Sequence, residues 1–312
     1  MLVGSYTAPD GEGHGIARVV DGVVRTLAEV ASPSWVTRHP TLPLLYAVAE
    51  HRGELAVVDA VSGTVVQVTE AGDAACHVRV DADGRTAWVA CWGDGRVVRY
   101  ALGPDGLVAS RRAAPAATGD AQSRAHASAA FGDVVVTTDL GLDLVRVWRG
   151  PDEVQRLTLP AGSGPRHLAV RGDLLWVDTE YSNELVTIGH DSSGMLEVRG
   201  IAPVRVGGRI DGDTAAEVAL DPTGAWLTVG VRGSDVIASS RILPDGTTEP
   251  IAEAPSGGRT PRHHVHDGDA ILVANQGSST ITRLPFDPAT GAIGPVVETL
   301  PIGSPSFVDP VG

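Results

Sequence analysis

The sequence predicts an all-β protein, and three observations support this expectation: the composition, the alternation of apolar residues and a repeat that runs along the chain. Of the 312 residues, 38 are Gly and 21 are Pro, and Val and Thr are frequent. Gly and Pro supply the backbone dihedrals of tight turns, whereas β-branched residues fit extended strands. The composition is therefore typical of many short strands joined by turns.

A repeat of 40 to 50 residues covers almost the whole chain. Each copy has an alternating strand, a tight turn, an apolar strand, a polar turn and a third strand. Equivalent points lie at Trp35, His77, Ala127, His167, Glu217, His263 and Ser306. The steps between these points are 42, 50, 40, 50, 46 and 43 residues. This period suits a four-stranded propeller blade and is too long for a leucine-rich or helical repeat.

The turns and the chain ends complete the predicted architecture. Gly-Asp pairs in "FGDV", "RGDL" and "DGDA" predict two-residue hairpins. The seventh copy supplies only one strand, "SPSFVDP" at 304–310, whereas "LVGSYT", "GIARVV" and "VRTLAEV" near the N-terminus have the character of second, third and fourth strands. We expect one domain over residues 1–312, an all-β seven-bladed β-propeller with four-stranded antiparallel blades, in which N- and C-terminal strands close the last blade.

The charge balance argues against two classes of partner. The formal net charge is −14, which repels a phosphate backbone, because nucleic-acid binding depends on clustered Lys and Arg. An anionic membrane surface is disfavoured for the same reason, and no apolar run approaches the ~20 residues of a membrane helix. The opening "MLVGSYTAPDG" lacks the basic and apolar regions of a secretory signal. We therefore expect a cytoplasmic protein.

Ionisable and aromatic residues gather where a propeller would bind a ligand. The first strand of each blade lines the central channel, and its start shares one mouth with the end of the second strand. The strand starts are Ser34-Trp35, Cys76-His77, Arg124-Ala125-His126, Pro165-Arg166-His167, Ala216-Glu217 and Pro261-Arg262-His263. The second strands end at Glu50, Trp92, Asp139, Glu180, Arg232 and Gln276. Such convergence from six blades favours ligand binding at this mouth.

The hairpin of residues 165–180 illustrates the pattern. A two-residue turn at Gly172-Asp173 would place Arg166 opposite Thr179 and Glu180 opposite Pro165. Both charges then reach the same rim. They either face a ligand or pair only with each other.

Other chemical motifs are weaker. Cys76 and Cys91 are too few for a disulfide scaffold and lack metal-ligand spacing, so we interpret them as reduced structural residues. His264 and His266 alternate onto one strand face, but no third ligand stands at metal spacing. A Gly-x-Ser-x-Gly elbow is also missing. We expect neither a metal nor another cofactor.

Motifs along the whole chain resemble those of a known family. They are "LVGSYT", "DLGLDLVRVW", "PRHLAV", "AAEVALDPTGAWL", "TPRHHV" and "VANQGSST". In combination they resemble the seven-bladed propeller lactonase family, which includes bacterial propeller-type 6-phosphogluconolactonases and fungal carboxy-cis,cis-muconate cyclases.

This resemblance implies specific site residues. The implied catalytic set is His126, Arg166, Glu180 and Arg232. Family-like positions around the mouth imply a substrate-binding set of His77, Arg124, His167, Glu217 and Arg262. Two departures leave the substrate open: "SRAH" carries Arg124 where relatives often have a His, and the sixth blade has "PRHH" instead of Pro-Arg-Asn-Phe.

The resemblance implies a lactonase of the 6-phosphogluconolactonase type, acting on a small anionic sugar-acid lactone in carbohydrate metabolism, within the pentose phosphate pathway. His126 or Glu180 would act as general base, and Arg166 with Arg232 would stabilise negative charge. One alternative is a muconate-cyclase-type cycloisomerase acting on a carboxylated lactone. Another is a non-catalytic propeller that binds a small anion or a protein partner.

Overall fold

Twenty-eight strands form the part of the chain that the structure, a computed structural model, describes, residues 1–311. The closing blade consists of β28 (Pro305–Asp309), β1 (Leu2–Ser5), β2 (Gly15–Val20) and β3 (Val23–Ala28). The first blade consists of β4 (Pro33–Arg38), β5 (Leu44–Ala49), β6 (Glu54–Asp59) and β7 (Val65–Glu70). The second consists of β8 (Ala75–Val80), β9 (Thr86–Cys91), β10 (Val97–Leu102) and β11 (Val108–Ala114).

The other four blades follow in chain order. The third consists of β12 (Ala125–Phe131), β13 (Val134–Asp139), β14 (Leu144–Arg149) and β15 (Asp152–Thr158). The fourth consists of β16 (Pro165–Arg171), β17 (Leu174–Thr179), β18 (Glu184–His190) and β19 (Leu196–Pro203). The fifth consists of β20 (Thr214–Leu220), β21 (Trp226–Arg232), β22 (Val236–Ile242) and β23 (Thr248–Pro255). The sixth consists of β24 (Pro261–Asp267), β25 (Ala270–Asn275), β26 (Thr280–Pro285) and β27 (Glu298–Pro301).

The predicted closure of the propeller is confirmed. The C-terminal strand β28 pairs antiparallel with β1, with Phe307 opposite Gly4 and Pro305 opposite Ser5. The repeat position assigned to Ser306 is wrong by one residue. Trp35 stands two residues after Pro33, which begins β4, and the residue two after Pro305 is Phe307. Phe307 is therefore the seventh equivalent position.

The Gly-Asp hairpins have the predicted two-residue turns, but the far end of the hairpin in the fourth blade differs in register. Arg171 pairs with Leu174, as expected, whereas Thr179 lies opposite Pro165 and not opposite Arg166. A β-bulge between Pro165 and Leu168 accounts for the shift. A bulge adds one residue to one strand and re-aims its side chains.

A bulge of this kind occurs at the start of every first strand. The observed strand pairing also corrects one of the predicted second-strand ends. Ala125 of the third blade pairs with Asp139, just as Pro165 pairs with Thr179. The counterpart of Glu180 is therefore Leu140, not Asp139. Asp139 is fully buried and accepts hydrogen bonds from the Ser123 hydroxyl and from the backbone N–H of Arg124, at 2.8 Å for the latter.

The apolar core lies between neighbouring blades. Tyr46 and Leu55 of the first blade pack with Val89 and Tyr100 of the second. The Tyr46 hydroxyl also donates to the Gly106 carbonyl of the second blade at 2.5 Å. Burial of these surfaces stabilises the ring of blades by roughly 25 cal/mol per Å² of apolar area. Because this core lies between the blades, the central channel can hold polar groups. Within residues 1–311, no helix is long and apolar enough to cross a membrane.

Candidate active site at the channel mouth

Five blades contribute charged or phenolic side chains to one end of the channel. We call this set the mouth cluster; it comprises Tyr6, Glu50, Arg166, Glu180, Arg232 and Arg262. Tyr6, Glu50 and Glu180 directly follow the second strand of their blade, and Arg232 ends its second strand. Arg166 and Arg262 are the second residues of their first strands. The repeated hairpin therefore delivers side chains from two strands to the same opening.

Glu180 joins two arginines from adjacent blades. Its Oε2 lies 2.9 Å from Arg166 Nε and 3.2 Å from Arg232 Nη2. Arg166 also donates through Nη1 to the Ala216 carbonyl, and Arg232 donates through Nη2 to the Ala215 carbonyl at 3.1 Å. These contacts fix both guanidinium groups on the backbone of the fifth blade.

The two arginines differ in exposure. The Arg166 side chain is only 3 % exposed, whereas those of Arg232 and Glu180 are each 18 % exposed at the opening. Burial, followed by the charge of Arg166, lowers the pKa of Arg232 to about 10. Arg232 still carries its charge at neutral pH, so the positive charges of Arg166 and Arg232 lie close together.

A second ion pair joins the sixth and first blades, beside Tyr6 of the closing blade. Arg262 Nη2 lies 3.8 Å from Glu50 Oε2, and the Tyr6 hydroxyl donates to the same oxygen at 2.6 Å. The guanidinium carbon of Arg262 also lies 5.0 Å from the centre of the Tyr6 ring, within the range of a cation–π interaction. Burial raises the pKa of Tyr6, so this phenol remains a neutral donor.

The mouth cluster carries three arginines against two glutamates. In a largely buried setting, this surplus of positive charge favours an anionic or oxyanionic ligand. Tyr6 was missing from the predicted set, and Glu50 was recognised only as a strand end. Extending the hairpin register into the closing blade would have identified Tyr6, because Ser5 pairs with Pro305 as Thr179 pairs with Pro165.

His126 lies beside this cluster in the third blade. It is 6 % exposed, and its Nδ1 has no hydrogen-bond partner among the described residues. Burial and the positive charge of Arg166 hold the pKa of His126 well below the usual histidine value. The imidazole is therefore neutral at pH 7, and its Nδ1 is not engaged by another group of the described chain.

An aromatic layer fills the channel behind the mouth cluster. We call it the Trp35 layer; it has one residue from each first strand, the fourth residue of β20 and the third residue of each of the other six strands: Trp35, His77, Ala127, His167, Glu217, His263 and Phe307. The Trp35 ring lies 4.5 Å from His77, 5.1 Å from His167 and 5.0 Å from His263, measured between ring centres. Since these histidines belong to three other blades, the indole spans the channel.

The ionisable groups of the Trp35 layer are held neutral by burial. Burial lowers the pKa of His77 and of His263 to about 3, and lowers that of His167 well below its usual value. Glu217 Oε2 lies 3.0 Å from His167 Nδ1, and burial raises the Glu217 pKa well above that of an exposed carboxyl. This layer consequently offers hydrogen-bonding groups and little charge.

A buried carboxyl supports the junction of the two layers. Asp178 Oδ1 accepts the backbone N–H of His167 at 2.6 Å, across the bulge of the fourth blade. Burial raises the pKa of Asp178 to about 7. Asp178 thus fixes the backbone between Arg166 and His167, so that these consecutive residues enter different layers of the channel.

The structure separates the nine predicted site residues into three groups. Arg166, Glu180, Arg232 and Arg262 belong to the mouth cluster, with His126 beside it. His77, His167 and Glu217 lie in the Trp35 layer. Arg124 stands apart at the rim, where its guanidinium stacks 3.7 Å from the centre of the Trp92 ring and its Nη2 donates to Gln122 Oε1 at 3.2 Å.

The remaining motifs have structural contacts. Thr228 Oγ1 lies 2.8 Å from His264 Nε2 and 3.0 Å from His266 Nε2, so both imidazoles bind one hydroxyl of the fifth blade. Cys76 and Cys91 are free and buried, and burial raises the pKa of the Cys76 thiol to about 12. In the described part of the chain, no group of three His, Cys, Asp or Glu side chains could hold a metal ion.

A family profile described as "Lactonase, 7-bladed beta-propeller" matches residues 1–310. The chain belongs to this lactonase family. The membership implies a small-molecule lactone as substrate, and the propeller with its closing blade agrees with the family fold.

Solved structures share the fold of this lactonase-family chain along nearly their whole length. A periplasmic gluconolactonase of Pseudomonas aeruginosa is 25 % identical, with a TM-score of 0.86 and coverage of 98 % of this chain and 97 % of that one. A Bacteroides fragilis protein, provisionally named a 6-phosphogluconolactonase, is 21 % identical, with a TM-score of 0.86 and coverage of 99 % and 97 %. A Lactobacillus plantarum protein is 22 % identical, with the same TM-score and 97 % coverage of both chains. A search of curated proteins finds no match.

Proposed function

We propose that this lactonase-family chain hydrolyses a sugar-acid lactone of the 6-phosphogluconolactone type at the mouth cluster. The observation that carries the proposal is the arrangement of Arg166 and Arg232 on either side of Glu180, at 2.9 and 3.2 Å. Hydrolysis of a lactone places negative charge on the carbonyl oxygen in the transition state. Fixed cationic donors stabilise that charge, often as the largest single contribution to catalysis.

His126 is the proposed general base. The oxygen of a water molecule bonds to the lactone carbonyl carbon while one water proton passes to the neutral imidazole. The tetrahedral intermediate then breaks its bond to the ring oxygen, which takes the proton from His126, and a hydroxy acid leaves. Glu180 is less suited to this role, because two arginines already hold its carboxylate. We assign Glu180 to the positioning of Arg166 and Arg232.

Arg262 is proposed to bind the anionic group of the substrate. Its partner Glu50 is 3.8 Å away and already accepts the Tyr6 hydroxyl, so the guanidinium retains donors for a phosphate or a carboxylate. His77, His167 and Glu217 would support the site from the Trp35 layer. A phosphorylated sugar lactone is a metabolite of the cytoplasm, which is the location that we propose for the chain together with a role in the pentose phosphate pathway.

Acid release measured with a pH indicator tests the proposal. The purified chain should accelerate hydrolysis of 6-phosphoglucono-δ-lactone above the spontaneous rate, and the double variant His126→Ala/Arg166→Ala should abolish the acceleration. Arg112→Ala is the matched control, since Arg112 lies on outer strand β11 with 63 % of its side chain exposed. Full activity in the double variant would contradict the assigned site.

Two parallel assays separate the other functions. Glucono-δ-lactone, which lacks the phosphate, reports whether the anionic group matters, and cyclisation of 3-carboxy-cis,cis-muconate followed by ultraviolet absorbance reports cycloisomerase activity. Cyclisation without lactone hydrolysis would replace the proposed reaction. Loss of hydrolysis on addition of a chelator would overturn the metal-independent mechanism.

A further inference from the structure

The channel contains a second compartment behind the Trp35 layer, with a volume of about 260 Å³. We propose that this far cavity is a second ligand site, which binds a small uncharged polyhydroxy molecule such as a polyol or a monosaccharide. The proposal does not depend on the reaction assigned to the mouth cluster.

The far cavity is distinct from the mouth. Its walls include Thr37, Arg79 and Ser128, which lie three or four residues into their first strands. At roughly 3.3 Å per residue, these side chains lie about 10–13 Å along the channel from the strand starts. No member of the mouth cluster lines the cavity, and the Trp35 indole spans the channel between the two compartments.

Several buried polar atoms in the cavity wall have no partner. Within the described chain, His77 Nδ1, Ser128 Oγ and Arg79 Nε form no hydrogen bond. The residues His77 and Ser128 are each more than nine-tenths buried. Since an unsatisfied buried polar group costs about 1–3 kcal/mol, three such atoms in residues that line one cavity indicate an occupant that hydrogen-bonds to them.

The charges around the far cavity are balanced, in contrast to the mouth. Arg79 Nη2 lies 2.7 Å from Asp81 Oδ1, and Glu217 stands beside His167 with its pKa raised by burial. An anion would meet no surplus of positive charge here, and a cation would meet no free carboxylate. The available groups both donate and accept, as required for hydroxyl groups.

The apolar part of the wall also fits such a ligand. Trp35, Val78 and Leu168 line the cavity, and an aromatic face packs against the C–H surface of a sugar or polyol. At about 30 Å³ per water, the cavity holds roughly nine waters or one small molecule. Pockets with apolar walls and a few fixed polar groups are typical of small-molecule sites.

Ligand-observed NMR with glycerol, xylitol and D-glucose, and acetate as the anionic comparison, tests the proposal on the full chain. We expect saturable binding of at least one uncharged probe and none of acetate. Ser128→Met should fill the cavity and weaken that binding at least tenfold while lactone hydrolysis continues at the normal rate. Ser110→Met, at an exposed position of β11, is the matched control and should change neither property.

Further variants distinguish the two compartments. Thr37→Val removes a hydroxyl with little change in volume and should also weaken binding, so the test survives if Ser128→Met fails to fold. Arg262→Ala, in the mouth cluster, should leave probe binding unchanged. The proposal is overturned if no uncharged probe saturates, if acetate alone binds, or if binding is lost in Arg262→Ala and kept in Ser128→Met.

Discussion

The two compartments of the channel both use residues of the first strands yet have opposite chemistry. The mouth cluster holds three arginines and two glutamates, with guanidinium groups fixed to the Ala215 and Ala216 carbonyls. The far cavity holds paired charges, neutral histidines and two hydroxyls. Adjacent residues of one strand, Arg166 and His167, enter different layers, and both lie within the β-bulge between Pro165 and Leu168.

This difference shows that the channel is not one continuous polar tube. The surplus of positive charge lies at the mouth, where the side chains of Arg232 and Arg262 are 18 and 20 % exposed, whereas burial keeps the imidazoles of the Trp35 layer neutral. Charge without a partner is costly in a buried site. A reaction that develops negative charge therefore has support at the mouth and none in the far cavity.

Replacement of the proposed base should have the largest effect. His126→Gln is expected to lower kcat for lactone hydrolysis by roughly 10²–10⁴-fold, the usual contribution of general-base catalysis. Steady-state kinetics of this variant and of His14→Gln, an exposed control, make the comparison. Equal losses in the two variants would contradict the role of His126.

The same residue predicts the pH profile. A base must be deprotonated, and burial with the charge of Arg166 holds the pKa of His126 well below 6.5. Activity of the wild-type chain should thus stay level as pH falls through 6.5 and decline only at lower pH. A midpoint at or above the ordinary histidine value would show that a different group titrates.

Loss of Arg166 should be the next largest effect. Arg166→Ala is expected to reduce kcat by about 10²–10³-fold, as for removal of one oxyanion donor, whereas xylitol binding in the far cavity should persist. Circular dichroism checks the fold, because Arg166 also binds the Ala216 carbonyl. A variant that folds and retains its rate would remove the oxyanion role from this residue.

Arg262→Ala should act mainly on substrate binding. A hydrogen bond to a charged group contributes about 1.5–3 kcal/mol, so the KM for 6-phosphoglucono-δ-lactone should rise roughly 10–100-fold, with little change for glucono-δ-lactone. The ratio of kcat/KM values for the two lactones measures the effect. An equal change for both substrates would show that Arg262 does not bind the phosphate.

Asp178→Asn should have the smallest effect, on stability and not on chemistry. Burial raises the Asp178 pKa to about 7 in the folded chain, whereas an exposed Asp has a pKa of about 3.9. The folded state then binds more protons, so this group's contribution to stability falls as pH rises from about 4 to about 7. In Asp178→Asn, the decrease of Tm with rising pH should therefore be smaller by a few degrees than in the wild-type chain.

Thermal unfolding at pH 5 and pH 7 measures the difference, and Asp152→Asn, at an exposed position, serves as control. The amide can still accept the His167 N–H through its oxygen, so the fold should be kept. If the wild-type chain and Asp178→Asn show the same pH dependence of Tm, Asp178 is not the group that titrates.

Local sequence signals were sufficient for most of the fold. Gly-Asp turns, alternation and the repeat predict the blades, and the "SPSFVDP" strand with "LVGSYT" predicts the closure, as observed in the pairing of β28 with β1. The expected pairing of Arg166 with Thr179 failed because of the bulge. A bulge shifts register by one residue, and the sequence pattern of a strand does not mark where the extra residue sits.

The composition of the two compartments required the tertiary structure. The motifs "SRAH" and "PRHL" both place an arginine near a strand start, yet Arg124 precedes β12 and stacks on Trp92 at the rim, whereas Arg166 is the second residue of β16 and is buried against Glu180. Which cations meet depends on the turn geometry of separate blades, and these residues are distant in sequence.

Short-range periodicity in the sequence is sufficient to predict the seven blades, the closing blade and the concentration of ionisable residues at strand starts. Other features are visible only in the folded chain: Tyr6 and Glu50 meet Arg262, Trp35 divides the channel, and His77, His167 and Glu217 line a second cavity. Those contacts join residues from blades far apart in the chain, and their positions depend on ring closure and on the bulge in each first strand.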